Sequence, residues 1–240
     1  MSPPIRPYTL SPHNAGLCVR DGQIVYPDHA ARRHKVVIWG FGAESRWAVP
    51  FDSDEFIIWT INNAWNASRD SQGRLRCDVW WEQHQIFPDT IGPEQGRVIQ
   101  DSNDMGWIRT CPVPLYTTEP YPANPNAVVW PIDYFAQKYR DYFTCSFAMM
   151  VAQAIEDNFR EIHLFGLTLL CGTQREATVE SSCLNYWLGL AEGRGIKVVI
   201  QDADKFALLG HKYRYGHQYW LERRYVEDYC ATLFERPQAV

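Results

Sequence analysis

A single Rossmann-like α/β domain with a doubly wound, mostly parallel sheet is the fold this 240-residue sequence predicts. Three observations point to it. Short apolar runs stop at glycine or at small polar residues, amphipathic stretches of helical period separate the later runs, and the second half of the chain alternates helix, strand, helix, strand.

Val36-Val37-Ile38-Trp39 ends at Gly40, as a strand buried on both faces of a parallel sheet does. Phe56-Ile57-Ile58-Trp59 repeats the pattern and runs into Thr60-Ile61-Asn62-Asn63. Cys77-Asp78-Val79-Trp80-Trp81 is a third strand, and Val113-Pro114-Leu115-Tyr116 a fourth whose proline assigns it to an edge or a strand start. Thr144-Cys145-Ser146 offers capping groups to a helix with Phe147, Met150, Val151, Ala154 and Ile155 on one stripe, ending at Asn158-Phe159. Ile162-His163-Leu164-Phe165 is a strand closed by Gly166. A polar link from Gly172 to Glu180 leads to a helix over Leu184 to Glu192, which Gly193-Arg194-Gly195 ends before the strand Ile196 to Ile200. From about His217 a C-terminal helix carries Leu221, Tyr225, Tyr229 and Leu233. Residues 1–34, rich in Pro, Gly and polar groups, form an irregular leader with a hairpin at Asp21-Gly22. Residues 35–240 form one domain with helices on both faces of the sheet.

A 46% hydrophobic and 21% charged composition is enough for a full core. Aromatics at 14%, ten of them Trp, either fill that core or stack on sugars and bases. The net charge of −5 weighs against sequence-independent nucleic-acid binding, which depends on dense Lys and Arg. Seven scattered Cys without a C-x-x-C pair fit free thiols in a reducing compartment. The first residues, MSPPIRPYTLSPHNAGL, lack the apolar core of a secretion signal, and no run approaches eighteen apolar residues. A cytoplasmic protein with no membrane span is the expectation.

Several segments can carry chemistry. Gly40-Phe41-Gly42 follows the first strand, where missing Cβ atoms let backbone amides approach a phosphate; a plain strand-to-helix turn needs the same glycines. Asn62 and Asn63 end the second strand, where ligands of open α/β sheets sit, and asparagine both donates and accepts; it also favours turns. Glu82 and His84, after the paired Trp80-Trp81, put a carboxylate and an imidazole together for acid–base work. No spacing in the chain matches a zinc site, and no metal or cofactor is expected. Ser146 opens a helix, whose N-terminus attracts anions. The link from Gly172 to Glu180 is long enough for a lid, with Arg175 for a phosphate and Glu176 or Glu180 as a base; a solvated loop is the plain alternative. From His211 to Tyr225 rings and cations interleave, as in a stacking platform or in an amphipathic helix laid on the sheet.

The block from Ser146 to Ile155, followed by Arg160-Glu161-Ile162-His163-Leu164-Phe165-Gly166-Leu167, resembles small bacterial lipooligosaccharide sialyltransferases. The order of segments over roughly residues 35 to 210 is also similar to bacteriophage proteins of that Rossmann-like fold. The resemblance implies a GT-A-like variant of the fold and a metal-independent glycosyltransferase that takes a nucleotide sugar. By position it implies donor contacts at Gly40, Gly42, Asn62, Ser146 and Gly166, and sets Glu82 where the family has an Asn after paired aromatics. Where the family carries an Asp two residues after the strand-ending glycine, this chain has Thr168. Its general-base His falls near Thr178, which leaves Glu176 or Glu180 for that role. A phage origin would make a hydroxymethylated pyrimidine in DNA a candidate acceptor in the host cytoplasm, and a surface glycan is another. A phosphotransferase similar to the pterin pyrophosphokinases, or a nucleotide-binding module without turnover, are the alternatives.

Overall fold

The structure is a computed structural model that describes residues 9–40, 42, 45–83, 107–167, 169 and 174–201. Its strands are β1 (Cys18–Arg20), β2 (Gln23–Val25), β3 (Lys35–Trp39), β4 (Phe56–Ile61), β5 (Val79–Glu82), β6 (Leu115–Thr117), β7 (Ala127–Val129), β8 (Glu161–Phe165) and β9 (Lys197–Ile200). Its helices are α1 (Asp28–Ala31), α2 (Ile132–Lys138), α3 (Ser146–Glu156) and α4 (Gln174–Gly193), with 3₁₀ turns at Arg46–Ala48 and Asn62–Ala67.

Seven strands pair in the order β7-β6-β5-β4-β3-β8-β9, and every pairing is parallel. The chain builds outward from β3 to β7 and then returns to lay β8 on the other side of β3. The switch point of this α/β sheet is therefore the gap between the carboxyl ends of β3 and β8. Alternation along each strand divides the apolar side chains. Val36, Ile38, Ile57, Trp59, Val79, Trp81, Ile162 and Leu164 join one cluster with residues of α2, α3 and α4, while Val37, Trp39, Ile58 and Phe165 face the other way. On that second face Trp65 stacks on Trp107 with centroids 4.1 Å apart, against Trp80 and Leu115.

A buried ion pair fixes the entry to β5. Asp78 accepts the amides of Ala15 at 2.5 Å and Ile58 at 2.7 Å as well as the Arg76 guanidinium, which also donates to the Phe56 carbonyl at 2.8 Å. Its charges are buried but matched by hydrogen bonds, which is the condition under which such a pair is tolerated.

Some expectations hold and others change. The polar link to Glu180 is not a loop throughout: α4 begins at Gln174, and Gln-Arg-Glu-Ala continues a strong helix former into the apolar stripe beyond. Of the two places expected for the fourth strand's proline, the strand start holds: Pro114 stands just ahead of β6, which lies inside the sheet between β5 and β7. The hairpin at Asp21-Gly22 forms, with both residues at positive φ (51° and 72°) between β1 and β2. The segment around it is less irregular than a leader, because Ala15, Leu17 and Ala30 belong to the main core cluster. Among the described residues no helix is long and apolar enough to cross a membrane. The helix expected from His217, and the ring-and-cation stretch before it, lie outside the described residues.

Candidate functional site at the switch point

Beyond their last paired residues, Trp39 and Phe165, the chains leaving β3 and β8 stay in contact. The Gly40 amide donates to the Phe165 carbonyl at 3.0 Å, the Gly42 amide to the Gly166 carbonyl at 2.7 Å, and the Gly166 amide to Ser45 Oγ at 2.6 Å. A Cβ on Gly40 would stand 2.5 Å from Phe147 Cζ and 2.7 Å from the Gly166 carbonyl oxygen. Gly166 itself sits at φ 59°, where a Cβ would collide with the Gly40 carbonyl. The glycines are thus required for the closure of two loops on each other. The two amides expected to meet a phosphate are engaged within the fold, Gly40 by the Phe165 carbonyl at the end of β8 and Gly42 by the Gly166 carbonyl. Phe147 pressed against Gly40 seats the first turn of α3, and with it Ser146, beside the switch point.

The neighbouring strand ends supply unsatisfied acceptors. Asn62 opens the 3₁₀ turn after β4 with φ 46°, a left-handed conformation that asparagine tolerates better than most residues. Its carbonyl accepts the Trp80 indole N–H at 2.9 Å, but its side-chain Oδ1 is buried and has no hydrogen-bond partner among the described residues. At the end of β5, Gln83 donates through Nε2 to the Tyr116 carbonyl at 3.1 Å, and its Oε1 is likewise buried without a donor. Ile61 lies opposite Trp81, so these two amides belong to adjacent strand ends at one edge of the sheet. A buried amide oxygen left unpaired costs on the order of 1–3 kcal/mol, which a ligand N–H or O–H would recover. Asn63, next in the turn, is half-buried.

The start of α3 forms the other wall. Its N-cap residue, Cys145, makes no side-chain cap, so the positive end of the helix is not neutralised from within. Ser146 is half-buried there. α4 runs alongside: Thr144 Oγ1 donates to the Val179 carbonyl at 3.4 Å and Cys145 Sγ lies 4.0 Å from the Glu180 carbonyl. Glu180, only 8% exposed, is near enough for its charge to raise the Cys145 thiol pKa, after the larger effects of the Cys183 thiol and of burial. Of the two α4 carboxylates named from sequence, Glu180 is therefore placed beside the helix start. Glu176 lies one turn earlier, with its side chain outside the described set. Arg175 is exposed.

Glu82 is fully buried at the carboxyl end of β5, opposite Thr117 of β6. Phe41, His84 and Thr168 lie outside the described residues. Gln83 and Ser45 were not singled out from sequence. Ser45 carried a faint signal, three residues past the second glycine of the turn, whereas nothing local distinguishes Gln83 from a surface glutamine. Among the described residues no grouping of three or more His, Cys, Asp or Glu side chains is set to hold a metal ion.

No family model matches the chain, and no curated protein sequence does. Solved structures that match it include sialyltransferases. The sialyltransferase CstII from Campylobacter jejuni in complex with a substrate analogue, CMP-3FNeuAc, shares 16% identity over 73% of this chain and 84% of that one, with a TM-score of 0.47. The sialyltransferase CST-II in complex with trisaccharide acceptor and CMP matches at 15% identity over 73% and 85%, with a TM-score of 0.46. The apo form of an α-2,3-sialyltransferase from Campylobacter jejuni matches at 12% identity over 78% of both chains, with a TM-score of 0.43.

Proposed function

We propose that this chain is a glycosyltransferase that takes a nucleotide sugar at the switch point and transfers the sugar to a hydroxyl acceptor. The observation that carries this reading is the pair of buried, unpaired amide oxygens, Asn62 Oδ1 and Gln83 Oε1, at adjacent strand ends. Oxygens in that setting accept from a ribose hydroxyl or from the exocyclic amine of a base. The uncapped start of α3, with the Ser146 hydroxyl, supplies positive potential for the phosphate that departs with the nucleotide. Glu180 then accepts the acceptor's hydroxyl proton as the new glycosidic bond forms and the sugar–phosphate bond breaks. The scheme places the phosphate charge on the helix start and uses no metal. The sequence likeness of the Ser146–Leu167 block to sialyltransferases makes a CMP-linked sugar the first donor to try. The acceptor hydroxyl is on a glycan in this reading, and a hydroxymethylated pyrimidine in DNA is the rival.

The test is to incubate the protein with CMP and UDP sugars, offering an oligosaccharide in one arm and hydroxymethylated DNA in the other, and to read mass gains on the acceptor. Transfer to either is expected to fall about 100-fold in kcat in Glu180→Gln, with little change in donor KM. Transfer undiminished in that variant would remove Glu180 from the chemistry. ATP- and Mg²⁺-dependent pyrophosphate transfer, or tight nucleotide binding with no transfer from any donor, would overturn the reading.

A further inference from the structure

Five cysteines are described; Cys18 is exposed, and the other four fall into two pairs. Cys77 and Cys111 are fully buried in the second-face core, where burial pushes the Cys77 thiol up to about 12 and raises Cys111 as well, so they are inert. Cys145 and Cys183 are different. They stand on either side of the α3–α4 junction, with Cys145 Sγ 4.0 Å from the carbonyl of Glu180, less than one helical turn before Cys183. Cys183 Sγ also receives the Thr144 amide at 3.4 Å and lies 3.3 Å from the Tyr142 carbonyl, which the Trp187 indole holds at 2.7 Å. The Cys145 thiol and the donors of Thr144 favour the charged form of Cys183 and lower its pKa, while Cys145 is raised. Cys183 is enclosed, and Cys145 is half-buried at the head of α3.

We propose that Cys145 and Cys183 are a peroxide-oxidisable dithiol whose product is a disulfide tying α4 to the start of α3. The Cys183 sulfur accepts the amide of Thr144, the residue before Cys145, at 3.4 Å, and the two cysteines sit on elements held in register by the Thr144–Val179 and Trp187–Tyr142 hydrogen bonds. Cys145 is the sulfur a small oxidant reaches. Its sulfur attacks hydrogen peroxide as the thiol proton leaves to solvent; the O–O bond breaks, Cys145 becomes a sulfenic acid, and the released hydroxide takes up that proton and leaves as water. The Cys183 sulfur then attacks the sulfenic sulfur, the S–O bond breaks, and a second water carries off the oxygen with the Cys183 proton. The balance is two thiols and one peroxide to one disulfide and two waters. This inference does not depend on the proposed transferase activity, since it is read from the sulfurs alone.

Treating the folded full-length protein with hydrogen peroxide, alkylating the remaining thiols and mapping peptides by mass tests it. The expected product is a Cys145–Cys183 linked peptide, lighter by two hydrogens and restored by dithiothreitol, with Cys77 and Cys111 still alkylated. In Cys183→Ser, Cys145 is expected to stop at the sulfenic acid and to be captured by dimedone. The wild-type map decides the matter even if that variant folds poorly. A disulfide joining either residue to another cysteine, or oxidation confined to the exposed Cys18 with both sulfurs still alkylated, would overturn the proposal.

Discussion

Asn62 bears two local costs at once: a left-handed backbone and a buried side-chain oxygen without a donor. Neither is relieved by the rest of the fold, and strain retained in this way concentrates where ligands bind. Replacing it by glycine removes both, while adding unfolded-state entropy that works against the gain. Asn62→Gly is therefore expected to unfold in urea within about 1 kcal/mol of the wild type, and a loss well beyond that would mean that the side chain is structural. The residue type at this position was legible in the sequence, because asparagine at a strand end suits a ligand as well as a turn. Its φ and its orphaned oxygen were not, since both follow from how the 3₁₀ turn packs on Trp80.

At the scale of elements, the two loops leaving β3 and β8 behave as one closed unit because neither has a Cβ where they cross. Gly166→Ala must both strain a backbone at φ 59° and push against the Gly40 carbonyl. Gly195→Ala has the first penalty, at φ 80°, with open space around it. We expect Gly166→Ala to cost about 2 kcal/mol more than Gly195→Ala in denaturant unfolding, beyond the roughly 1–2 kcal/mol of left-handed backbone common to both. Equal losses would mean that the loops part easily. In the sequence the glycine turn suits a phosphate cradle and a plain turn alike, because a strand followed by Gly-x-Gly serves both purposes. Only the position of Gly166, 126 residues downstream of Gly40, separates them. The first turns of α4 resemble a lid or solvated loop in the sequence for a related reason: their residues are polar, although their helix propensity is high. β7 went unseen because three residues, Ala127-Val128-Val129, are too few to show a period.

For the whole molecule, the sheet was legible because buried parallel strands are short apolar runs, and six of its seven strands carry that mark, β3, β4, β5, β6, β8 and β9. What the sequence hid was how far the amino-terminal segment is built into the body. Tyr26, just past β2, donates to Asp157 at the end of α3 at 2.7 Å, and Gln153 donates to the other oxygen at 2.8 Å. Burial outweighs these two hydrogen bonds and lifts the Asp157 carboxyl to about 6. A carboxyl whose folded pKa is raised holds its proton more tightly when folded, so this group adds stability as pH falls from about 6 toward its ordinary 3.8. Glu156 works in the opposite sense, but its loss falls lower, between its ordinary 4.5 and about 2. Thermal melts between pH 7 and 5 are expected to show wild-type stability rising toward acid relative to Asp157→Asn, and parallel curves would refute the assignment.

The central claim is that the strand ends at the switch point hold a pyrimidine nucleotide through Asn62. Isothermal titration of CMP and a CMP-linked sugar into the wild type and into Asn62→Ala addresses it directly, with circular dichroism confirming that both are folded. The account predicts saturable binding to the wild type and an affinity lower by about tenfold in the variant, the worth of one hydrogen bond to a buried oxygen. Failure of either nucleotide to bind, or equal affinity in the two proteins, would contradict it.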